Sequence, residues 1–280
     1  GLRDILPPDA AFAADLVQRL RACFAGYGYE WVDPPLVEFE DTLFDGAGAA
    51  MTNETFRLMD PVSQRMMGLR TDITVQVARI ATTRMAKAPR PLRLAYAGDV
   101  LRVKGKQLRP ERQFTQIGAE LIGAEGEAAD VEAVTMAIDG LTRLGVTKLS
   151  VDLTVPALVP HVLAALEAPA RAAAAVRAAL DRKDAAGVDV AAAPLGQGAS
   201  VFGLLLRAAG AADTALDKLS RIPLPDAARR EAERLGAVAQ ALMAALPGTA
   251  FTIDPVESRG LEYHTGVSFT IFRAGVRGEI

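Results

Sequence analysis

Two small polar groupings in this 280-residue sequence could hold a ligand. In Leu69-Arg70-Thr71-Asp72-Ile73-Thr74, a carboxylate is followed two residues later by a hydroxyl, the pair of partners that a ligand's ammonium group needs. Asp72 also stands where a helix N-cap is expected, and a residue at a helix start can cap the helix and face a cavity at once. The second grouping is Gln116-Ile117-Gly118-Ala119-Glu120. With the period-two alternation of a strand, Gln116, Gly118 and Glu120 share one face while Ile117, Ala119 and Leu121 share the other. Gly118 then leaves a hollow between two hydrogen-bonding side chains, suited to a small polar ligand lying on the sheet. The alternative for that face is a solvated strand surface.

The surrounding sequence supplies elements to position these groups. Asp9 is placed to cap a helix whose apolar positions are Phe12, Leu16, Leu20, Cys23 and Phe24, closing at Gly26. Gly28 to Val32 reads as extended, and Glu54 to Asp60 and Arg65 to Leu69 as two short strands joined around Pro61. Asp72 opens a helix with Ile73, Val77, Ile80 and Ala81 on one face. Leu92 to Gly98 and Gln113 to Gly123 form a hairpin with a long loop, Asp130 to Leu144 a helix, and Lys148 to Val155 a strand. The chain thus divides into a core over 1–155, an alanine-rich helical insertion over 156–249, and the core resumed over 250–280, ending as if cut at Ile280. The order favours an α+β fold, a largely antiparallel sheet flanked by helices, and lacks the regular alternation of a doubly wound one. No glycine-rich phosphate loop is present.

Composition narrows the function. Half of the residues are hydrophobic, enough to bury a substantial core, so a disordered chain is excluded. The 31 basic and 34 acidic residues leave a formal charge of -3, the wrong sign for gripping a polyanion through its phosphates, so tRNA is not expected as a partner. The single cysteine, Cys23, excludes an internal disulfide framework, fits a reducing cytosol and reads as a buried thiol on a helix. The alanine-rich run from His161 to Leu180 is interrupted by Glu167, Arg171 and Arg177, which marks a soluble helical region, and a cytoplasmic location without membrane contact is expected.

A series of segments, in the same order, resembles those of histidyl-tRNA synthetases, a class II aminoacyl-tRNA synthetase family. Gly1-Leu2-Arg3-Asp4-Ile5-Leu6-Pro7 is similar to the family's opening, and Pro35-Leu36-Val37-Glu38 stands where motif 1 carries its proline at the dimer interface. Leu69 to Thr74 resembles the "LRPEGT" element. Leu101-Arg102 through Gln113-Phe114-Thr115-Gln116 resembles motif 2, continued by the histidine-specific strand through Glu120. Val256-Glu257-Ser258-Arg259-Gly260-Leu261-Glu262-Tyr263-His264-Thr265-Gly266 resembles "VRGLDYYTG", a stretch specific to histidine-binding members. The resemblance implies a histidine site in which Asp72 and Thr74 hold the amino group and Arg102 and Arg259 the carboxylate. The ring would lie among Gln116, Glu120, Tyr263 and His264.

Two positions depart from a working synthetase. Where motif 2 has an acid that accepts from the adenine amino group, this chain has Lys104, which cannot accept a hydrogen bond. His264 replaces the second tyrosine of the last stretch, and an imidazole can still make one bond to a ligand ring. Amino-acid contacts kept beside a damaged nucleotide contact resemble the synthetase-like regulatory subunits of ATP phosphoribosyltransferase, which act in the first step of histidine biosynthesis. That resemblance implies a regulatory subunit with no catalytic residue, cofactor or metal. It would bind histidine as feedback effector, pair as a homodimer within a hetero-oligomer, and activate a short-form ATP phosphoribosyltransferase catalytic subunit. The alternatives are an active histidyl-tRNA synthetase core and a synthetase-like paralogue that modifies a protein or another amino acid.

Overall fold

The computed structural model describes residues 1–44, 51–105, 110–196, 198–257 and 265–275. By internal packing the chain divides into two compact units, one made of Gly1–Glu125 with Asp139–Gly145, the other of Gly126–Ile138 with Val146–Ile280.

The first unit opens with helix α1 (Asp9–Gly26). Asp9 is its first helical residue and Pro8 occupies the cap position, so the aspartate favours the helix through the charge of its first turn and not through a side-chain cap. Cys23 and Phe24 are buried at the far end, whereas Phe12 stays exposed, so only part of the apolar stripe is covered. Strands β1 (Glu30–Trp31), β2 (Val37–Phe39), β3 (Arg57–Met59) and β4 (Met66–Leu69) follow, with the short helix α2 (Glu40–Leu43) after β2. Then come α3 (Thr74–Thr82), β5 (Leu92–Leu101) and β6 (Gln113–Ile122). One sheet has the order β1-β5-β6, with β1 parallel and β6 antiparallel to β5; the other is the antiparallel β2-β4-β3. The helix expected after Asp72 forms, and its Ile73, Val77 and Ala81 pack on Leu92, Leu94, Tyr96 and Val100 of β5. Helix α4 (Glu127–Arg143) contributes its last turn to this unit. There Asp139 accepts hydrogen bonds from Cys23 Sγ at 3.6 Å and Tyr27 Oη at 3.3 Å.

The second unit is built on a sheet of order β10-β7-β9-β8, comprising β7 (Leu149–Thr154), β8 (Gly210–Ala211), β9 (Ala250–Ile253) and β10 (Ser268–Arg273). Strand β7 runs antiparallel to β10 and parallel to β9, and its alternate residues Val151 and Leu153 are buried. Between β7 and β9 lie α5 (Leu158–Ala165), α6 (Ala170–Asp181), α7 (Ala185–Ala192), α8 (Ser200–Ala208), α9 (Ala212–Ser220) and α10 (Asp226–Ala245). These helices bury small residues beside larger ones: α10 covers Ala228 and Ala239 together with Leu235, Val238 and Leu242. Alanine suits such positions because it loses no side-chain entropy in a helix and lets neighbours approach closely. Asp184 caps α7, accepting from Gly187 N at 2.9 Å. Among the described residues no helix is long and apolar enough to cross a membrane.

Candidate functional site

The site is laid out by the register of β5 and β6. Leu94 pairs with Glu120, Tyr96 with Gly118, Gly98 with Gln116 and Val100 with Phe114. Residues directly opposite in an antiparallel ladder point to the same side. One face therefore carries Leu92, Leu94 and Val100 as core and, interleaved with them, Tyr96, Gln116 and Glu120. This is the face on which α3 packs, so Tyr96 is buried and Gln116 and Glu120 are half-buried beneath a helix rather than solvated.

The turn leading into α3 meets Gln116. The Ile73 backbone N–H donates to Gln116 Oε1 at 2.9 Å, and Gln116 Nε2 donates to Asp72 Oδ1 at 2.9 Å. The same carboxylate oxygen accepts from the Thr74 backbone N–H at 2.9 Å, so Asp72 closes the start of the helix as its position in the sequence implies. Just before it, Arg70 is 4 % exposed, donating from Nε to Asp99 O at 2.8 Å and from Nη1 to Pro34 O at 2.6 Å. Gly98 makes room for that guanidinium, which occupies the space a Cβ there would take. Burial pushes the Arg70 guanidinium below its usual range, opposed by the charges of Asp33, Asp99 and Glu38.

Thr74 connects the turn to the other end of the face. Its hydroxyl lies 2.9 Å from Tyr96 Oη, and Tyr96 Oη donates to Glu120 Oε1 at 3.0 Å. The hollow expected at Gly118 is filled: a Cβ there would stand 2.5 Å from Tyr96 Oη and 2.6 Å from Cζ. The glycine accommodates the phenol of its own cross-strand partner, and the ligand hollow read from the sequence is corrected accordingly. Burial pushes the Glu120 carboxyl above the usual range, hydrogen bonds from Tyr96 and Thr74 pull it back, and the Asp72 charge pushes it up again. Tyr96 is pushed well above the usual phenol range by burial and by Glu120.

Thus Asp72, Thr74, Gln116 and Glu120 are brought together, joined by two hydrogen-bonded links. Arg102 follows β5, with its guanidinium 5.3 Å from the ring centroid of Phe114 and its Nε 3.9 Å from Glu54 Oε2. That Nε is buried and makes no hydrogen bond among the described residues, a donor that suits an anionic group. Lys104 is exposed. Arg259, Tyr263 and His264 lie outside the described residues.

Sequence reasoning missed two participants. Tyr96 was hidden because an aromatic in a strand reads as core, and only the register with Gly118 exposes its role. The other is a brace on α3. Gln76, 1 % exposed, donates to Pro35 O at 2.8 Å and to Glu38 Oε2 at 3.0 Å, and Arg79 pairs with the same carboxylate. The Pro35-Leu36-Val37-Glu38 segment thereby holds the helix that starts at the site. A small cleft beside it is lined by Leu43, Phe44, Met51, Thr55, Thr71, Asp72 and Val75. Among the described residues there is no cluster of ligands for a metal ion.

Comparison with known proteins places this arrangement. The family model described as Histidyl-tRNA synthetase matches residues 1–280. A protein of Paramagnetospirillum magneticum named ATP phosphoribosyltransferase regulatory subunit is 53% identical over 280 residues, spanning 100% of this chain and 73% of that protein. A solved structure described as an ATP phosphoribosyltransferase regulatory subunit/histidyl-tRNA synthetase from Bacillus halodurans is similar with a TM-score of 0.86 at 22% identity, covering 100% of this chain and 73% of that one. A chain of the ATP phosphoribosyl transferase (HisG:HisZ) complex from Thermotoga maritima is similar with a TM-score of 0.71 at 16% identity, covering 93% of this chain and 87% of that one. At such identities the two structures speak for the fold alone, that of class II synthetases, with antiparallel strands flanked by helices.

Proposed function

Because the chain belongs to the histidyl-tRNA synthetase family and, within it, to the non-catalytic regulatory subunits of ATP phosphoribosyltransferase, we propose that it binds histidine as the feedback effector of a short-form catalytic subunit which it also activates. The observation that carries this reading is the convergence of Asp72, Thr74, Gln116 and Glu120 on one strand face. In it the ligand's amino group meets Asp72 and Thr74, its carboxylate meets Arg102 and Arg259, and its ring lies against Gln116, Glu120, Tyr263 and His264. The subunit acts as a homodimer within a hetero-oligomer in the cytoplasm, with residues 156–249 as an insertion in a core that resumes over 250–280.

Feedback requires that histidine bind two states of the assembly with different affinity, since equal affinity shifts nothing. The partnership itself is supported by the name of the 53% identical relative and by the fold shared with a chain of the Thermotoga maritima complex. The test is to mix the chain with a short-form ATP phosphoribosyltransferase and assay phosphoribosyl transfer with and without histidine. Activation that histidine abolishes is the expected result; no activation overturns the reading. Lys104, unable to accept from an adenine amino group, predicts no histidine-driven ATP–pyrophosphate exchange.

A further inference from the structure

We propose that Lys183, among the helices between β7 and β9, is a positioning residue that holds residues 254–257, the segment that leads into Arg259. The proposal rests on the histidine reading for its effect on a ligand. Helix α6 ends at Asp181 with Arg182 at the cap position, and the next two amides close that end: Lys183 N donates to Leu180 O at 2.9 Å and Asp184 N to Ala179 O at 3.0 Å. This double closure needs a left-handed residue at 183, a place where glycine is usual. Lys183 has a φ of 54° there, a conformation that costs a residue with a side chain free energy and costs glycine none. The turn alone would be better served by glycine, so the side chain is what the position is for.

The Lys183 ammonium lies 2.6 Å from Asp254 Oδ2 and 3.5 Å from Glu257 Oε2, and the two carboxylate side chains are only 17% and 19% exposed. Taking the cation away from acids so sheltered from water leaves their charge uncompensated, which is the costly way to break such a contact. The rest of the segment is built on the same two residues. Asp254 Oδ1 accepts from Val256 N at 3.2 Å, Asp254 O from Glu257 N at 3.4 Å, and Glu257 O from Thr154 Oγ1 at 2.9 Å. Beyond residues 258–264 a second cation from these helices is in place. Arg234 of α10 donates from Nη2 to Asp130 Oδ2 at 2.8 Å, and a Cβ on Gly266 would stand 3.3 Å from the same nitrogen. The helices between β7 and β9 thus touch the chain just before and just after the residues that the histidine reading assigns to the ligand's carboxylate and ring.

Lys183→Gly deletes the ammonium and keeps the turn, which glycine suits better, whereas Lys183→Arg keeps a cation. Amide hydrogen exchange in the ligand-free chain, followed by NMR, reads the segment, and calorimetry with histidine reads the consequence. The glycine variant is expected to lose most of the protection of the Val256 and Glu257 amides while Asp184, inside the turn, keeps its own. The arginine variant should stay close to the parent at all three. Histidine binding should weaken about fivefold in the glycine variant, because apparent affinity falls with the fraction of chains in which the segment is held, and should be largely restored in the arginine variant. Unchanged protection at Val256 and Glu257, or equal loss at Asp184, overturns the proposal. So does an arginine variant as loose as the glycine one, or parental histidine affinity in the glycine variant. If the parent binds no histidine while the exchange pattern is the expected one, the positioning role stands and the histidine reading alone is removed.

Discussion

Gly118 stands directly opposite Tyr96 in the β5–β6 ladder, and the phenol oxygen occupies the place where a side chain at 118 would begin, 2.5 Å from a Cβ. The space is closed on its other side by Thr74 and the α3 packing. Gly118→Ala is therefore an overpacking mutation, expected to cost about 1–3 kcal/mol in urea unfolding and to displace the hydroxyl from Glu120. Unaltered stability would mean that the ring swings aside freely.

Arg70 ties its own segment to two others, through the carbonyl of Pro34 and, on β5, the carbonyl of Asp99 and the space over Gly98. Arg70→Ala leaves those carbonyls without their partner in a buried setting, and a loss of about 3 kcal/mol is expected. Arg70→Lys should recover only part of it, because an ammonium lacks the planar fork that reaches both oxygens. Equal midpoints for the lysine variant and the parent would remove the fork from the account.

Glu120 binds its proton more tightly in the folded chain than in the unfolded one, because burial disfavours the charge. Between the ordinary carboxylate range and the raised folded value, the folded state holds the extra proton. Stability contributed by this group thus falls as pH rises through that window, and the cost is fully present above it. Glu120→Gln should accordingly be more stable than the parent at neutral pH, with the gain vanishing below the ordinary carboxylate range. The same variant should bind histidine at least about tenfold more weakly, having lost the negative acceptor. A variant less stable than the parent at neutral pH would contradict the sign.

Cys23 is fully buried and its thiol is pushed up by burial and by the neighbouring Asp139. The thiolate is the reactive form, so the folded chain should not react with an aromatic disulfide reagent on the scale of minutes, while the unfolded chain releases one equivalent. Fast labelling of the folded chain would show that the end of α1 opens.

Much of the first unit was legible in the sequence because its signals are local. The alternation of Gln116, Gly118 and Glu120 and the apolar spacing of Ile73, Val77 and Ala81 need only a strand and a helix to be read. The polar face was harder to judge, since alternation says that three residues share a side without saying whether that side meets water or a helix. The cover supplied by α3 decided it, and that is a tertiary fact. Tyr96 shows the same limit: its partner lies 22 residues away across the hairpin, and register rather than spacing brings them together. Asp9 illustrates a smaller shift, because cap and first helical position differ by a single residue and an acid suits both.

Almost every polar group around Asp72 is already anchored before any ligand arrives: Gln116 to the Ile73 amide and to Asp72, Asp72 to the Thr74 amide, Thr74 to Tyr96, and Tyr96 to Glu120. The rotamers a ligand would otherwise have to freeze are frozen when the chain folds. Recognition at such a preorganised site loses little entropy to side-chain ordering, so a small amino acid with few atoms can still be held with useful affinity.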